Sequence, residues 1–263
     1  ERKKGFYLME NLKYRELEVS IFPTNETLGL AAAEDFATIV AKELASREEI
    51  SVILATGNSQ LSFIRAVVEQ KEIEWSRISV LHMDEYIGMN EHHSASFRRW
   101  MRENLADRVQ LKAFYGVRGD HLPAQEEIDR YSSLLLALDP SVCVMGIGEN
   151  GHLAFNDPPA DFATQEIAHV VELAETARAQ QVGEGHFASV DETPTHAISL
   201  TVSALLRPRH VMVLTPEARK AKAVKAALEG PVTPLCPASI LQTQPNAHLY
   251  LDAESASLVK RLH

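Results

Sequence analysis

The 263-residue sequence contains only two cysteines, Cys143 and Cys236. Two cysteines are too few for a disulfide framework, which indicates a reducing compartment such as the cytoplasm. The sequence also lacks an apolar run of the ~18 residues that a membrane span needs. Residues 1–5 lack the apolar stretch of a signal peptide. We therefore expect a cytoplasmic protein with no membrane partner.

A basic excess is absent as well, because 36 acidic residues outweigh 26 Lys and Arg residues and leave a formal net charge of −10. Nucleic acid is thus not an expected partner, since a phosphate backbone binds to a basic face. Apolar residues make up 45% and charged residues 24% of the chain, which excludes a disordered or low-complexity protein. No repeat or flexible linker divides the sequence, and we predict a single domain over residues 1–263.

Short apolar runs alternate with longer helical patterns along the chain. Strands are predicted at residues 17–22, 50–55, 78–82, 142–147, 210–214 and 247–251, and helices at residues 25–46, 94–106 and 216–228. Nearly continuous apolar strands between helices are typical of a parallel sheet that is covered on both faces. We therefore predict a doubly wound, Rossmann-like α/β fold with a mostly parallel sheet and helices on both faces. Residues 157–201 interrupt the alternation, which predicts a lid or an inserted subregion.

Polar residues follow the strand predicted at residues 50–55, and they are Thr56, Gly57, Asn58 and Ser59. Ligands of open α/β sheets bind beyond the carboxyl ends of the strands. A glycine turn that opens a helix presents free N–H groups, and these attract a phosphate. An ordinary turn with a Ser or Asn cap has the same pattern, so the turn alone leaves both interpretations open.

Two adjacent acids, Asp84 and Glu85, follow the strand predicted at residues 78–82. One of them could cap the next turn while the other is solvated. A carboxylate that is held in a cleft beside a sugar could instead act as a general base. The motif alone does not decide between these alternatives.

Residues 146–158 contain the most distinctive motif, in which Gly146, Gly148 and Gly151 precede His152 and Asp157. Glycines permit tight backbone geometry after a strand, and an imidazole with a carboxylate on one loop can transfer protons. The motif differs from a dinucleotide-binding fingerprint, because His and Phe stand where a helix should begin.

Other kinds of site lack support in the sequence. The eleven histidines are scattered and no cysteine pair is close, so no metal site is predicted. No nucleophile elbow is present, which argues against covalent catalysis. Lys220 lies just after the strand predicted at residues 210–214, where it could reach a ligand cleft, whereas Lys222 and Lys225 are expected on a solvated helix face.

Together these motifs resemble the glucosamine-6-phosphate deaminase (isomerase) family, which shares its fold with the 6-phosphogluconolactonases. The resemblance covers about residues 19–252. It rests on residues 55–59, 83–86 and 148–158 and on Lys220 with residues 228–230. The Ala-Phe-Asn-Asp-Pro tail at residues 154–158 is deaminase-like.

The resemblance implies a role for each matching residue. Asp84 would be the base that moves a proton between C2 and C1 of the sugar. His152 would open the pyranose ring, with Asn150 and Asp157 at the two partner positions. The substrate phosphate would be bound by Lys220 and by the turn at residues 56–59. The implied activity converts an amino-sugar 6-phosphate, glucosamine 6-phosphate first of all, to a ketose 6-phosphate and ammonia, without a metal or an organic cofactor.

The sequence departs from the family pattern in the turn and in the histidine loop. Asn150 stands where many members have Asp, and Asp157 replaces the usual Glu. Asn58 and Gln60 stand where Gly and Pro are usual. The shorter Asp157 side chain moves the carboxyl group by roughly 1.5 Å, and such a displacement can reduce the rate about a hundredfold if nothing compensates for it.

A substrate-binding arginine that the family carries before a phenylalanine is missing from residues 182–187. His186 is at the nearest equivalent position and Arg178 lies upstream. The basic cluster that binds an activator in some members is not evident at residues 165–170, so we expect no such activation.

Two classes of function fit the resemblance. The first is an enzyme that acts on a small sugar phosphate, either the deaminase or a related isomerase or lactonase with another substrate. The second is a sugar-phosphate sensor without catalysis, because the same fold is the effector domain of some transcription regulators. The presence of Asp84, His152 and Asp157, and the lack of a helix-turn-helix pattern before residue 19, favour the enzyme. The sequence leaves open whether copies of the chain form a homo-oligomer.

Overall fold

The structure, a computed structural model, describes residues 9–183, 185 and 187–260. The strands in these ranges are β1 (Glu10–Tyr14), β2 (Leu17–Phe22), β3 (Ile50–Leu54), β4 (Ile78–Leu81), β5 (Asp84–Tyr86), β6 (Ala113–Tyr115), β7 (Val142–Met145), β8 (Ala168–Glu172), β9 (His196–Leu200), β10 (His210–Thr215) and β11 (Ala247–Asp252). The α-helices there are α1 (Asn25–Leu44), α2 (Leu61–Glu69), α3 (Phe97–Met101), α4 (Ala124–Leu138), α5 (Glu175–Gly183), α6 (Val202–Leu206) and α7 (Ala221–Glu229).

Among the described residues, eight strands form one sheet in the order β1-β2-β11-β10-β7-β3-β4-β6. The neighbours from β2 to β6 pair in parallel, while β1 pairs antiparallel with β2 at one edge. Every residue of β3, β4 and β7 is buried. The predicted mostly parallel sheet is confirmed, and the strands predicted from apolar runs all belong to it.

Helices cover both faces of this sheet, as predicted. Alternate strand residues belong to two separate core clusters, because side chains along a strand point to opposite faces. Ile53 lies in the cluster that contains α4, α6 and α7, whereas Val52 and Leu54 lie in the cluster that contains α1, α2 and α3. The fold is therefore doubly wound.

The chain reverses its direction of winding between β3 and β7. From β3 it proceeds to β4 and β6 on one side, and from β7 it proceeds to β10 and β11 on the other. Such a reversal opens a crevice beyond the carboxyl ends of the two central strands, where ligands of α/β sheets bind. The turn at residues 56–59 and the loop at residues 146–152 both start there.

A second, antiparallel sheet of three described strands has the order β5-β9-β8. The sequence did not predict it. Residues 83–86 were expected to be a loop, but Asp84–Tyr86 forms β5, which pairs with β9. Residues 157–201 hold β8, β9 and the helix α5. The lid assigned to residues 157–201 stays a prediction.

The helix boundaries differ slightly from prediction. The helix predicted at residues 94–106 begins at Phe97, because the Ser96 side chain accepts the N–H of Arg99 and caps it. The helix predicted at residues 216–228 starts as the 3₁₀ turn Ala218–Lys220 and continues as α7. Within the described ranges, no helix combines the length and the apolar character needed to cross a membrane.

Candidate active site

The turn after β3 presents polar groups at the crevice. Gly57 has φ of 101°, in the region that favours glycine, and Asn58–Gln60 form a 3₁₀ turn that leads into α2. The side chains of Thr56, Asn58 and Ser59 form no hydrogen bond with another described residue. Their hydroxyl and amide groups are therefore available to a ligand, together with N–H groups near the start of α2.

Lys220 reaches the same edge of the sheet from the 3₁₀ turn after β10, and its side chain is buried. Glu217 starts this turn with φ of 83°, which costs a residue with a Cβ atom about 1–2 kcal/mol. Its N–H donates to both carboxylate oxygens of Asp252, at 3.2 and 3.1 Å. The end of β11 thus stabilises the strained turn that places Lys220.

Gln60 connects the turn after β3 to β10 across the intervening strand β7. Its Nε2 donates to the carbonyl oxygen of Leu214 at 3.4 Å. A Cβ atom on Gly146 would lie 3.1 Å from this Nε2 and 3.2 Å from the Leu214 oxygen, so the glycine leaves room for the crossing. In the sequence Gln60 is only a departure from the family pattern, and no local signal predicts this link.

Asp84 is buried, and its carboxylate accepts no hydrogen bond from the described residues. Burial, and then the negative charge of Glu85, raise the pKa of Asp84 to about 8. A carboxyl group with this pKa is a stronger base than an ordinary aspartate once it is ionised.

Glu85 has a different environment from that of Asp84. It accepts hydrogen bonds from the N–H groups of Phe97 and Arg98 and from the Ser96 hydroxyl, at 2.8–3.2 Å. Burial raises the pKa of Glu85 in spite of these bonds. Glu85 thus caps the start of α3, which agrees with the interpretation that one of the two acids is a cap. Asp84 is neither a cap nor solvated.

The loop after β7 orients His152 through Asn150 and Asp157. The Asn150 Oδ1 atom lies 2.7 Å from His152 Nδ1 and accepts the His152 N–H at 3.1 Å. The Asn150 Nδ2 group donates to Asp157 Oδ1 at 2.9 Å, and that oxygen lies 3.2 Å from His152 Nδ1. Both oxygens facing Nδ1 are acceptors, so Nδ1 carries the hydrogen and, in the neutral ring, Nε2 keeps its lone pair.

The charge state of Asp157 agrees with this arrangement. Burial alone would raise the pKa of Asp157, but its hydrogen bonds with His152 and Asn150 hold that pKa below the ordinary value. Gly148 is required beside the imidazole, because a Cβ atom there would lie 2.0–2.3 Å from the His152 ring. The loop therefore places an ionised carboxylate and an imidazole in one hydrogen-bonded group.

Ser199 brings the histidine loop and Asp84 together. In the small sheet, Ser199 is the β9 partner of Asp84, and its Oγ accepts the N–H of Phe155 at 3.1 Å. The Asn156 amide donates to the carbonyl oxygen of Leu200 at 2.9 Å, which fixes the end of the loop to β9. The predicted residues Asp84, Asn150, His152 and Asp157 thus belong to one connected region.

An ion pair connects this region to the turn that carries Lys220. Arg219 Nη1 lies 2.9 Å from Glu149 Oε1, between the turn after β10 and the loop after β7. All four predicted segments are therefore linked at the carboxyl edge of the sheet. His186 lies outside the described residues. Arg178 donates to the carbonyl oxygen of Thr193 and so supports the chain that follows α5.

No group of three or more His, Cys, Asp or Glu residues within the described part of the chain lies close enough to hold a metal ion. The chemistry that this arrangement of side chains supports is proton transfer at two places. A buried carboxyl group and an oriented imidazole lie on linked segments at the carboxyl edge of the sheet, where a lysine and a polar turn also lie.

Comparison with known proteins shows the family of this chain. The model of a family described as glucosamine-6-phosphate isomerases/6-phosphogluconolactonase matches residues 23–250. A glucosamine-6-phosphate deaminase of Exiguobacterium sibiricum is 33% identical over 212 residues, which cover 81% of this chain and 82% of that protein. A glucosamine-6-phosphate deaminase of Streptococcus pneumoniae is 32% identical over 222 residues, which cover 84% of this chain and 92% of that protein.

Solved structures show the same fold. A structure described as a monomeric glucosamine-6-phosphate deaminase superposes with a TM-score of 0.84 at 26% identity, covering 91% of this chain and 99% of that one. A 6-phosphogluconolactonase of Thermotoga maritima superposes with a TM-score of 0.72 at 20% identity, covering 89% and 98%. At that identity the second similarity concerns the fold alone.

Proposed function

The chain belongs to the glucosamine-6-phosphate isomerase/6-phosphogluconolactonase family, and from this premise we propose that it is an enzyme that deaminates an amino-sugar 6-phosphate. The preferred substrate is glucosamine 6-phosphate, because the relatives at 32–33% identity carry the name of that activity. The products are a ketose 6-phosphate and ammonia.

One observation distinguishes this reaction from lactone hydrolysis, which is also represented in the family. Hydrolysis of a lactone needs a single base that activates water. We assign two separate proton-transfer groups to this edge of the sheet, the imidazole of the His152 loop and the buried carboxyl group of Asp84. A 1,2-proton shift needs a base that reaches two neighbouring carbons. Asp84 suits that role, because its carboxylate accepts no hydrogen bond from the described residues.

We assign opening of the sugar ring to His152. With the hydrogen on Nδ1, the Nε2 lone pair can accept the proton of the C1 hydroxyl while the ring oxygen takes up a proton. The bond between C1 and the ring oxygen then breaks and an open-chain aldehyde forms. Asn150 and Asp157 hold the imidazole in the required tautomer.

Asp84 performs the next step. Its ionised carboxylate removes the proton from C2 while the aldehyde oxygen takes up a proton, which gives an enolamine. The carboxylate then returns its proton to C1 while the amine nitrogen loses a proton, which gives a 2-imine with a hydroxyl group on C1. Water adds to the imine carbon, and ammonia leaves as the ketone forms. The raised pKa of Asp84 increases its basicity toward a carbon acid.

The phosphate binds to Lys220 and to the turn of Thr56, Gly57, Asn58 and Ser59. The protein has a net charge of −10, so its overall field does not attract an anion. A local lysine and N–H dipoles must attract the phosphate instead. Remote binding energy from the phosphate positions the reacting carbons. We also assign the enzyme to the cytoplasm, since both of its cysteines are free thiols.

The reaction is tested by measuring ammonia release with glucosamine 6-phosphate, with its galacto epimer and in a blank without substrate. Release of acid from 6-phosphogluconolactone is measured in parallel. Asp84→Asn keeps the size of the side chain but removes the base. We expect it to abolish ammonia release and solvent-deuterium incorporation at the sugar carbon, while Asp107→Asn, an exposed control, leaves both unchanged. Turnover of the lactone alone would refute the deaminase assignment.

The phosphate site is tested with Lys220→Ala. We expect KM for the phosphorylated sugar to rise at least tenfold, because a charge-assisted contact to the phosphate is lost. Lys222→Ala is the matched control, since Lys222 is exposed on α7, which continues the turn that carries Lys220. An unchanged KM in a folded Lys220→Ala protein would show that the phosphate binds elsewhere.

A further inference from the structure

A cavity of about 510 Å³ lies beyond the carboxyl end of β6, at the edge of the large sheet. Its lining residues include Arg98, Arg102, Arg118 and Arg130, and we call it the arginine cavity. We infer that the arginine cavity binds a small polyvalent oxyanion, with two or more carboxylate or phosphoryl groups. None of the residues that we assign to the sugar-phosphate site lines it, so the inference does not rest on the proposed function.

The four guanidinium groups keep hydrogen-bond donors that their protein partners do not use. Arg130 binds both oxygens of Glu127 through Nε and Nη2, at 2.7 and 2.6 Å, which leaves Nη1 without a described partner. The Arg118 side chain has no hydrogen-bond or ion-pair partner among the described residues. Arg102 has a loose ion pair with Glu91, at 3.6 Å.

Arg98 is the buried member of the cavity wall, with 8% of its side chain exposed. Its Nη2 donates to the carbonyl oxygen of Met89 and to Asp120 Oδ1, both at 2.8 Å. Its buried Nε has no hydrogen-bond partner and lies 3.7 Å from Glu85 Oε2. A guanidinium held in this way is oriented in advance, so an incoming oxyanion need not order it.

The acidic residues near the cavity fall into two groups. Glu85 and Glu127 are buried, and main-chain N–H groups hold their carboxylates in place. Asp120 and Glu91 lie at the rim, and their side chains are 42% and 38% exposed. Each of the rim carboxylates can turn into solvent. An oxyanion then replaces the Asp120 carboxylate on Arg98, where the structure already shows that a carboxylate fits.

The size and chemistry of the cavity favour a ligand with several anionic groups. Planar guanidinium forks match carboxylate and phosphoryl oxygens bidentately, and four of them around one space can bind two such groups at once. The ring of Phe114, with the Arg102 guanidinium 5.7 Å from its centroid, forms a less polar part of the wall. A compact molecule with separated oxyanion groups fits this surface better than a single phosphate does.

Isothermal titration calorimetry with citrate and with inorganic pyrophosphate tests the inference. We expect the wild-type protein to bind at least one of them, and the anion with the lower Kd identifies a carboxylate or a phosphoryl ligand. Arg118→Ala should raise that Kd at least tenfold, and this variant should fold because the side chain has no described partner to lose. Arg102→Ala should act in the same direction.

Two control variants separate this site from other sources of anion binding. Arg108→Ala removes an equal charge from an exposed position that does not line the cavity, and we expect it to bind as the wild type does. Lys220→Ala, which weakens the proposed sugar-phosphate site, should keep the anion binding that depends on Arg118. The inference is wrong if neither anion binds, if Arg108→Ala weakens binding as much as Arg118→Ala, or if Lys220→Ala abolishes binding while Arg118→Ala retains it.

Discussion

At the scale of single residues, Asn150 has two functions in the histidine loop. Its oxygen accepts from the His152 ring, and its amide nitrogen donates to Asp157 at 2.9 Å. A carboxylate at position 150 could accept from the imidazole but could not donate to Asp157, and the two carboxylates would repel each other. Asn150 and Asp157 therefore form a matched pair, which gives a physical reason for two departures from the family pattern.

Asn150→Ala is expected to slow turnover of the closed pyranose at least tenfold, because the imidazole loses the acceptor that fixes its tautomer. A substrate that is already open-chain bypasses the step assigned to His152. The rate of the variant with that open-chain substrate should change much less. The comparison needs initial rates of the variant on both substrate forms. Equal losses on the two forms would contradict the assigned role of the loop.

The raised pKa of Asp84 makes a prediction about stability. The folded protein holds this proton more tightly than the unfolded chain does, since the pKa is about 8 in the folded state. Stability should therefore fall as pH rises from about 4 to about 8. Asp84→Asn lacks the ionisable group, so the Tm of this variant minus the Tm of the wild type should increase as pH rises across this range.

Thermal unfolding between pH 5 and pH 9 provides the measurement, with Asp107→Asn as the exposed control. Glu85 also has a raised pKa, so it too makes stability fall as pH rises. This contribution is present in both the wild type and Asp84→Asn. The difference between the wild type and Asp84→Asn isolates the contribution of Asp84. A difference in Tm that does not change with pH would show that Asp84 ionises normally.

At the scale of elements, a side-chain hydrogen bond helps to attach α5 to the site. The Tyr86 hydroxyl, at the end of β5, donates to Gln181 Oε1 on α5 at 3.0 Å. The Tyr86 ring also packs against Phe155 of the histidine loop, with centroids 5.5 Å apart. This contact is the basis for a prediction about the lid proposed for residues 157–201.

Tyr86→Phe keeps the ring and removes the hydrogen bond to α5. A hydrogen bond contributes about 0.5–1.5 kcal/mol, so local opening of α5 should increase several-fold. Limited trypsin cleavage after Arg178 measures that opening. Tyr14→Phe removes an exposed hydroxyl contact with Lys260 and serves as the control. An unchanged cleavage rate would mean that the hydrogen bond does not hold the helix closed.

The elements also show what the sequence could predict. The central strands were predicted because both of their faces are apolar. Strand β5 was not, because two of its three residues are carboxylates and its strand geometry comes from pairing with β9. The hydrogen bond from Gln60 to Leu214 was not predicted either, because it joins residues that are distant in the sequence. Local patterns predicted the segments of the site, whereas the contacts that join them depend on residues that are distant in the sequence.

At the scale of the whole molecule, contacts within one chain link the segments that we assign to catalysis and phosphate binding. We therefore expect the rate per chain to be independent of protein concentration. Rates measured over a thousandfold dilution, together with the mass from light scattering, check this. A rate that falls on dilution would show that assembly completes the site.

The pairing of Asp84 with Ser199 also has a consequence for the order of folding. These partners are more than a hundred residues apart, whereas β3 and β4 pair across a short segment. Closing the longer loop costs more entropy, so the small sheet should form after the central strands. During refolding, pulsed hydrogen exchange should show protection of β3 and β4 before that of β5. The chain would then acquire the turn that we propose for the phosphate before the base that we propose, and the proposed activity would be the last property to return.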